Sequence, residues 1–333
     1  MFSSSGSSIL FRGWQARTPA LPGPWSLTIF TARIEGLSFR CAIQGQSVNS
    51  KRILLVCLTL VAAALIAIFV AGSFLTAAAP QSIGDLPNDL SGRSVQFSSS
   101  SGATIHGWLI PGKQSAGAVV LMHGVRSNRL SMTDRARFLS RAGYSVLLFD
   151  FQAHGESTGK HITFGSLESK DAQAAVDFLH QVAPHERIGV IGVSMGGAAA
   201  ILASPPLQAD AFVLEMVYPT IDDAVTNRLT MRLGSWAQVL TPLFLLQLKP
   251  RLGIDKTELR PIDHVAQLTA PKLFIAGSND LHTTIEESKR LYQTAGEPKE
   301  FWVIQGAKHV DLHSAAPVEY EQRVLAFFQK NLR

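Results

Sequence analysis

Gly192-Val193-Ser194-Met195-Gly196-Gly197 follows directly on the apolar run Ile188 to Val193. A Gly-x-Ser-x-Gly segment after a strand predicts a sharp reversal into a helix, which lifts the serine hydroxyl above a sheet edge. Gly192 and Gly196 are needed because a side chain at either flank would collide with the tight turn. Gly197 and Ala198 to Ala200 then let the helix pack close against the strands. The start of that helix also directs backbone N–H groups and positive dipole to where an oxyanion would form.

Three other segments share this strand-then-loop form. Ala118 to Met122 runs into His123-Gly124-Val125, Lys272 to Gly277 into Ser278-Asn279-Asp280, and Phe301 to Ile304 into Gly306-Ala307-Lys308-His309. The chain order is therefore loop, serine, acid, histidine. In this the sequence resembles the α/β-hydrolase family, whose triad follows the order Ser, acid, His, over roughly residues 92–333. The resemblance, to a membrane-anchored bacterial-type member, implies Ser194 as nucleophile, His309 as base and Asp280 as the acid that orients it. It also implies backbone N–H groups of Val125 and Met195 as oxyanion donors, with no metal and no organic cofactor.

The chemistry needs these residue types. A serine hydroxyl is a poor nucleophile until a base takes its proton, and imidazole titrates near neutral pH. His313 and Asp311 compete for the base and acid roles. The family's Gly-Ala-x-His loop favours His309, and an acid two residues from the histidine would have difficulty reaching its ring from the far side. His309 and His313 at i, i+4 read as half a zinc site, but no H-E-x-x-H or cysteine set accompanies them. His282 reads as a loop or pocket-rim residue. The loop Asp150-Phe151-Gln152-Ala153-His154-Gly155 departs from the Arg-Gly pair of many relatives, and His154 reads as scaffold.

Strands are expected at 104–110, 118–122, 145–150, 188–193, 211–216, 272–276 and 301–304, with helices at 171–182, 285–294 and 318–332. Near-continuous apolar strands between amphipathic helices predict a mostly parallel sheet covered on both faces. The excursion at about 217–269 is too long for a simple connection. It is read either as a cap lining an apolar acyl pocket or as helices packed on the domain's own core.

Ile53 to Ala71 is apolar, and no charge appears from Ile53 until Asp85. At about 1.5 Å per residue this run reaches roughly 28 Å, enough to cross a bilayer core. Residues 53–75 are thus expected to be a transmembrane signal anchor, with 1–50 a disordered basic tail and 76–91 a linker. Lys51 and Arg52 precede the run, which places the N-terminus in the cytoplasm and the 92–333 domain outside. A cleaved signal peptide and a translation start just before Asn49 are the competing readings.

Both cysteines, Cys41 and Cys57, precede the domain, so it has no disulfide and no thiol nucleophile. The net charge of +5 comes from 30 basic and 25 acidic side chains, without a basic–aromatic cluster for nucleic acid. The sequence thus predicts a serine hydrolase acting on a small-molecule ester with an apolar part. A peptidase or acylaminoacyl amidase on the same triad is the alternative within the class, and a non-catalytic binding protein the alternative outside it. Dehalogenase and epoxide-hydrolase relatives carry an aspartate where this chain has Ser194.

Overall fold

The protein, seen in a computed structural model, is described over residues 50–309 and 311–333. The tail expected to be disordered lies outside these residues, apart from Ser50. Ten strands run in chain order: β1 (Ala79–Pro80), β2 (Arg93–Ser98), β3 (Thr104–Ile110), β4 (Ala118–Met122), β5 (Ser145–Phe149), β6 (His154–Gly155), β7 (Ile188–Val193), β8 (Ala211–Glu215), β9 (Lys272–Gly277) and β10 (Lys299–Ile304). Eleven α-helices accompany them: α1 (Ser50–Thr76), α2 (Thr133–Arg141), α3 (Ser166–Val182), α4 (Met195–Leu202), α5 (Ile221–Leu233), α6 (Thr241–Leu245), α7 (Leu248–Leu252), α8 (Pro261–His264), α9 (Ile285–Thr294), α10 (Leu312–Ala315) and α11 (Pro317–Leu332).

Eight strands form one sheet in the order β10-β9-β8-β7-β4-β5-β3-β2. Neighbours are parallel from β10 to β5, whereas β3 runs antiparallel to both β5 and β2. The strand period of two sorts β4 between two cores. Ala118, Val120 and Met122 join α3, α4 and α9 on one face. Val119 and Leu121 join Phe138 of α2 with Tyr320, Val324 and Phe328 of α11 on the other. Because six strands are parallel, β4, β7, β9 and β10 end at one edge, and the four sequence motifs sit together there.

Between β8 and β9 the excursion forms α5 to α8 with short 3-10 turns. Its Ile221, Ala224, Leu245, Leu248, Ile254, Leu259 and Val265 join the domain core. Met231, Leu233, Trp236, Val239, Leu243 and Leu246 stay exposed. One side of the excursion therefore packs as core and the other is open.

Helix α1 is long and apolar enough to cross a membrane, with a mean hydropathy of 3.2 over its most apolar stretch. The 76–91 segment is stitched to the domain. Ala79 and Pro80 pair with His154 and Gly155, and Ile83 and Gly84 donate to Glu156.

Candidate active site

The chain turns from β7 into α4 at Ser194, which takes φ 51° and ψ −113°. A non-glycine residue there is strained and persists only where its surroundings hold it. The Ser194 N–H donates to the Glu215 carbonyl at 2.8 Å, fixing the elbow to β8. Close packing supplies the rest. A Cβ on Gly196 would fall 2.4 Å from the Met122 carbonyl, and one on Gly192 2.6 Å from the Gly197 Cα. Met195 begins α4, so its N–H has no partner within the helix. Ser194 is only 4% exposed.

The loop after β4 lies against this elbow, since a Cβ on Gly124 would be 3.7 Å from the Ser194 Cβ. Two buried histidines hold the loop. His123 Nε2 accepts the Phe151 N–H at 3.1 Å, so its proton is on Nδ1, which donates to the Gly124 carbonyl at 2.7 Å. His154 Nε2 accepts the Arg126 N–H at 3.0 Å, and its Nδ1 donates to the Gln152 carbonyl at 2.8 Å. In the trans peptide between Gly124 and Val125 the oxygen faces His123, which turns the Val125 N–H the opposite way. Burial, with His154 alongside, pushes His123 down to about 3, and burial lowers His154 too. Both rings are therefore neutral at pH 7.

His154 is scaffold, and it fixes the backbone one residue beyond Val125. Its sequence signal is weak, because nothing in the order of residues pairs it with Arg126. Next to it Ala153 takes φ 58°, the left-handed region that favours the glycine of many relatives. Gln152 meanwhile bonds Glu168 Oε1 at 2.8 Å and the His161 carbonyl at 2.7 Å.

At the other end of the sheet edge, His309 Nδ1 lies 2.7 Å from Asp280 Oδ2. Asp280 Oδ1 accepts the N–H groups of His282 at 2.7 Å and Thr283 at 3.0 Å. The carboxylate is thus fully engaged, buried and aimed at the imidazole. The His282 ring is 4.8 Å from that of His309. Burial, the His309 ring and the Arg228 charge hold His282 below the usual imidazole range. Asn227 Nδ2 donates to the His282 carbonyl at 3.2 Å, tying α5 to this loop. Ser194 follows β7, and β8 lies between that strand and β9, which leads into Asp280; no hydrogen bond joins Ser194 to His309 among the described residues.

Asp311 and His313 are committed elsewhere. Arg135 holds Asp311 at 2.7 Å and Glu215 at 2.7 Å, and Tyr320 donates to Glu215. Burial alone would raise Asp311, but the Arg135 charge keeps it below the usual carboxylate range. His313 is buried against Phe138, with Nε2 3.0 Å from Glu321. This cluster braces the loop that carries His309 from two residues downstream. Side-chain atoms of Asp280, His282 and His309 lie within 4.8 Å of one another, close enough to converge on a cation.

Residues 113–259 match the family model described as serine aminopeptidase, S33. The uncharacterized protein YqkD of Bacillus subtilis is 27% identical over 232 residues, which cover 68% of this chain and 75% of that protein. The uncharacterized protein Rv2307c of Mycobacterium tuberculosis is 29% identical over 66% of this chain and 73% of its own length. Among solved structures, the Pyrococcus furiosus esterase Pf2001 aligns with a TM-score of 0.65 at 26% identity, covering 78% of this chain and 99% of that one. The α/β hydrolase GrgF of a Penicillium species shares the fold, with a TM-score of 0.60 at 17% identity over 73% of this chain and 99% of its own. An elbow, a loop and an imidazole–carboxylate pair on one sheet edge, in an architecture shared with solved hydrolases, give this protein the α/β-hydrolase fold and make it a hydrolase.

Proposed function

We propose that the protein is a serine esterase anchored by α1, with Ser194 as nucleophile, His309 as general base and Asp280 as its orienting partner. His309 Nε2 takes the Ser194 proton as Oγ attacks the ester carbonyl, and the oxyanion is met by the N–H groups of Val125 and Met195. Collapse of the tetrahedral species returns the proton to the leaving alcohol and leaves an acyl-serine. Water, activated by the same imidazole, then releases the acid. The observation that carries this reading is the 2.7 Å bond between His309 Nδ1 and Asp280 Oδ2, which orients the ring. The Ser194–His309 contact is the link the proposal adds, and catalytic contacts commonly tighten only with substrate bound.

A fluorophosphonate probe tests it. The wild type is labelled and Ser194→Ala is not; labelling that survives the substitution overturns the assignment. An amidase on the same residues is the second reading, favoured by the serine aminopeptidase description of the matching family model. Turnover of aminoacyl anilides with none of p-nitrophenyl esters would select it.

Retention of α1 as an anchor is supported by its last turns, which bury Gly72 and Thr76 against the domain. The cations Lys51 and Arg52 favour a cytoplasmic N-terminus and an exported domain. An alkaline phosphatase fused to the C-terminus is active in that orientation; a well-expressed but inactive fusion reverses it.

A further inference from the structure

Helix α1 meets the domain at the catalytic edge. Gln247 Nε2 donates to the Ile68 carbonyl at 3.2 Å, and Arg251 Nη1 donates to Ser73 Oγ at 2.6 Å. The Arg251 guanidinium also covers the Phe69 ring at 4.0 Å. A Cβ on Gly72 would lie 2.4 Å from Gln247 Oε1, so the helix and the excursion are in direct contact. On the other side, Arg126 Nη1 donates to the carbonyls of Phe74 at 3.0 Å and Ala77 at 3.3 Å, and its guanidinium covers the Phe74 ring at 4.7 Å. Arg126 directly follows Val125, the proposed oxyanion donor. The helix end is thus clamped between the excursion and the oxyanion loop.

From Leu54 to Ala67 every residue of α1 is exposed, and burial begins at Ile68. Placing that exposed apolar length in hydrocarbon puts the membrane surface near residues 68–73, level with Gln247 and Arg251. The segment that leads into Gln247 carries an open apolar face. Trp236 is 61%, Val239 68% and Leu246 71% exposed. A water-facing surface rarely gathers such side chains, whereas a membrane interface takes them together with Trp and flanking cations such as Lys249 and Arg251.

We infer that the excursion's open face rests in the same bilayer leaflet that α1 leaves, and that the catalytic edge between the excursion and the oxyanion loop therefore faces lipid. Its substrate class is then a long-chain acyl ester resident in that bilayer, reaching Ser194 from the lipid phase. This rests on the esterase reading and on α1 as a retained anchor. The clamps at Arg126 and Arg251 fix the height of the catalytic edge above the leaflet, so distance from the membrane is set by folded structure.

The test uses the full chain in phosphatidylcholine vesicles. The probe 1-oleoylglycerol is supplied either in the vesicles that hold the protein or in separate protein-free ones, with p-nitrophenyl butyrate as a water-borne control. The expected result is hydrolysis of the co-resident lipid at least roughly tenfold faster than of the separate one, because a shared bilayer raises effective concentration. Equal rates on both, or none on either with butyrate turnover intact, overturn the inference and leave the esterase reading standing. Loss of butyrate turnover and of fluorophosphonate labelling overturns both. In Val239→Glu/Leu246→Glu the ratio of lipid to butyrate turnover falls roughly tenfold, as charges are expelled from the interface; an unchanged ratio refutes the docking face. If that variant does not fold, Val239→Ser/Leu246→Ser reads the same ratio. A second copy seated on this face would appear as a cross-linked dimer with no preference for co-resident lipid, and would also refute it.

Discussion

Acidification from pH 7.5 to 5 is expected to cost the fold about 2 kcal/mol through His123 alone. The ring is fully buried, and both nitrogens are committed, Nδ1 as donor to Gly124 and Nε2 as acceptor from Phe151. A second proton on Nε2 would face the Phe151 N–H head on. Its folded-state value of about 3 compares with an ordinary 6.5. Between these limits the unfolded chain binds the proton and the folded chain does not. The stabilisation is therefore complete above about pH 6.5 and is lost as pH falls toward 3, at about 1.4 kcal/mol per unit. His154, also depressed by burial, adds in the same direction. The assay is urea unfolding of the full chain in detergent at both pH values, for wild type and His123→Gln. The glutamine can still accept from Phe151 but cannot titrate. It is expected to be less stable at pH 7.5 by about 1 kcal/mol, and to lose about 2 kcal/mol less than wild type on acidification. An equal pH loss in both proteins would refute the reasoning from His123.

Asp280→Asn keeps the shape but reverses the hydrogen-bond preference of His309, and is expected to lower kcat on p-nitrophenyl butyrate by about 10⁴. Steady-state kinetics on folded protein checks it. Arg135→Met leaves the Glu215 and Asp311 carboxylates without their cation and is expected to cost about 3–5 kcal/mol in urea unfolding. Adding Glu215→Gln should restore part of that loss, measured as a double-mutant cycle. Gly196→Ala drives a methyl toward the Met122 carbonyl, with an expected cost of about 1–3 kcal/mol and weakened fluorophosphonate labelling.

Strands buried on both faces are legible from the chain because they need apolar side chains at every position. Ala118–Met122 and Ile188–Val193 match the expected strands to the residue. Helix α9 is equally plain, since Thr284 and Glu287 form a capping box ahead of it. The edge strand β2 escapes a reading by pattern: Arg93–Ser98 has one face in water, so its apolar content is only Val95 and Phe97. Helix α2 escapes for a similar reason, as Arg135 is a buried charge in a stretch that otherwise reads as polar surface.

Residue order alone is enough to specify the fold class and the elbow, because backbone reversals and buried strands impose residue types locally, on neighbours in the chain. It ranks His309 over His313 by the family's loop, and Asp280 over Asp311 only by the short reach of an acid two residues from the histidine. Folding separates them through Arg135, a residue of α2 far back in the chain that captures Asp311. Likewise His154 meets Arg126, and Arg251 meets α1, only in the packed molecule. Charges and hydrogen bonds act through space over a few ångströms, so partners remote in sequence become specific only when packing fixes where each side chain lies.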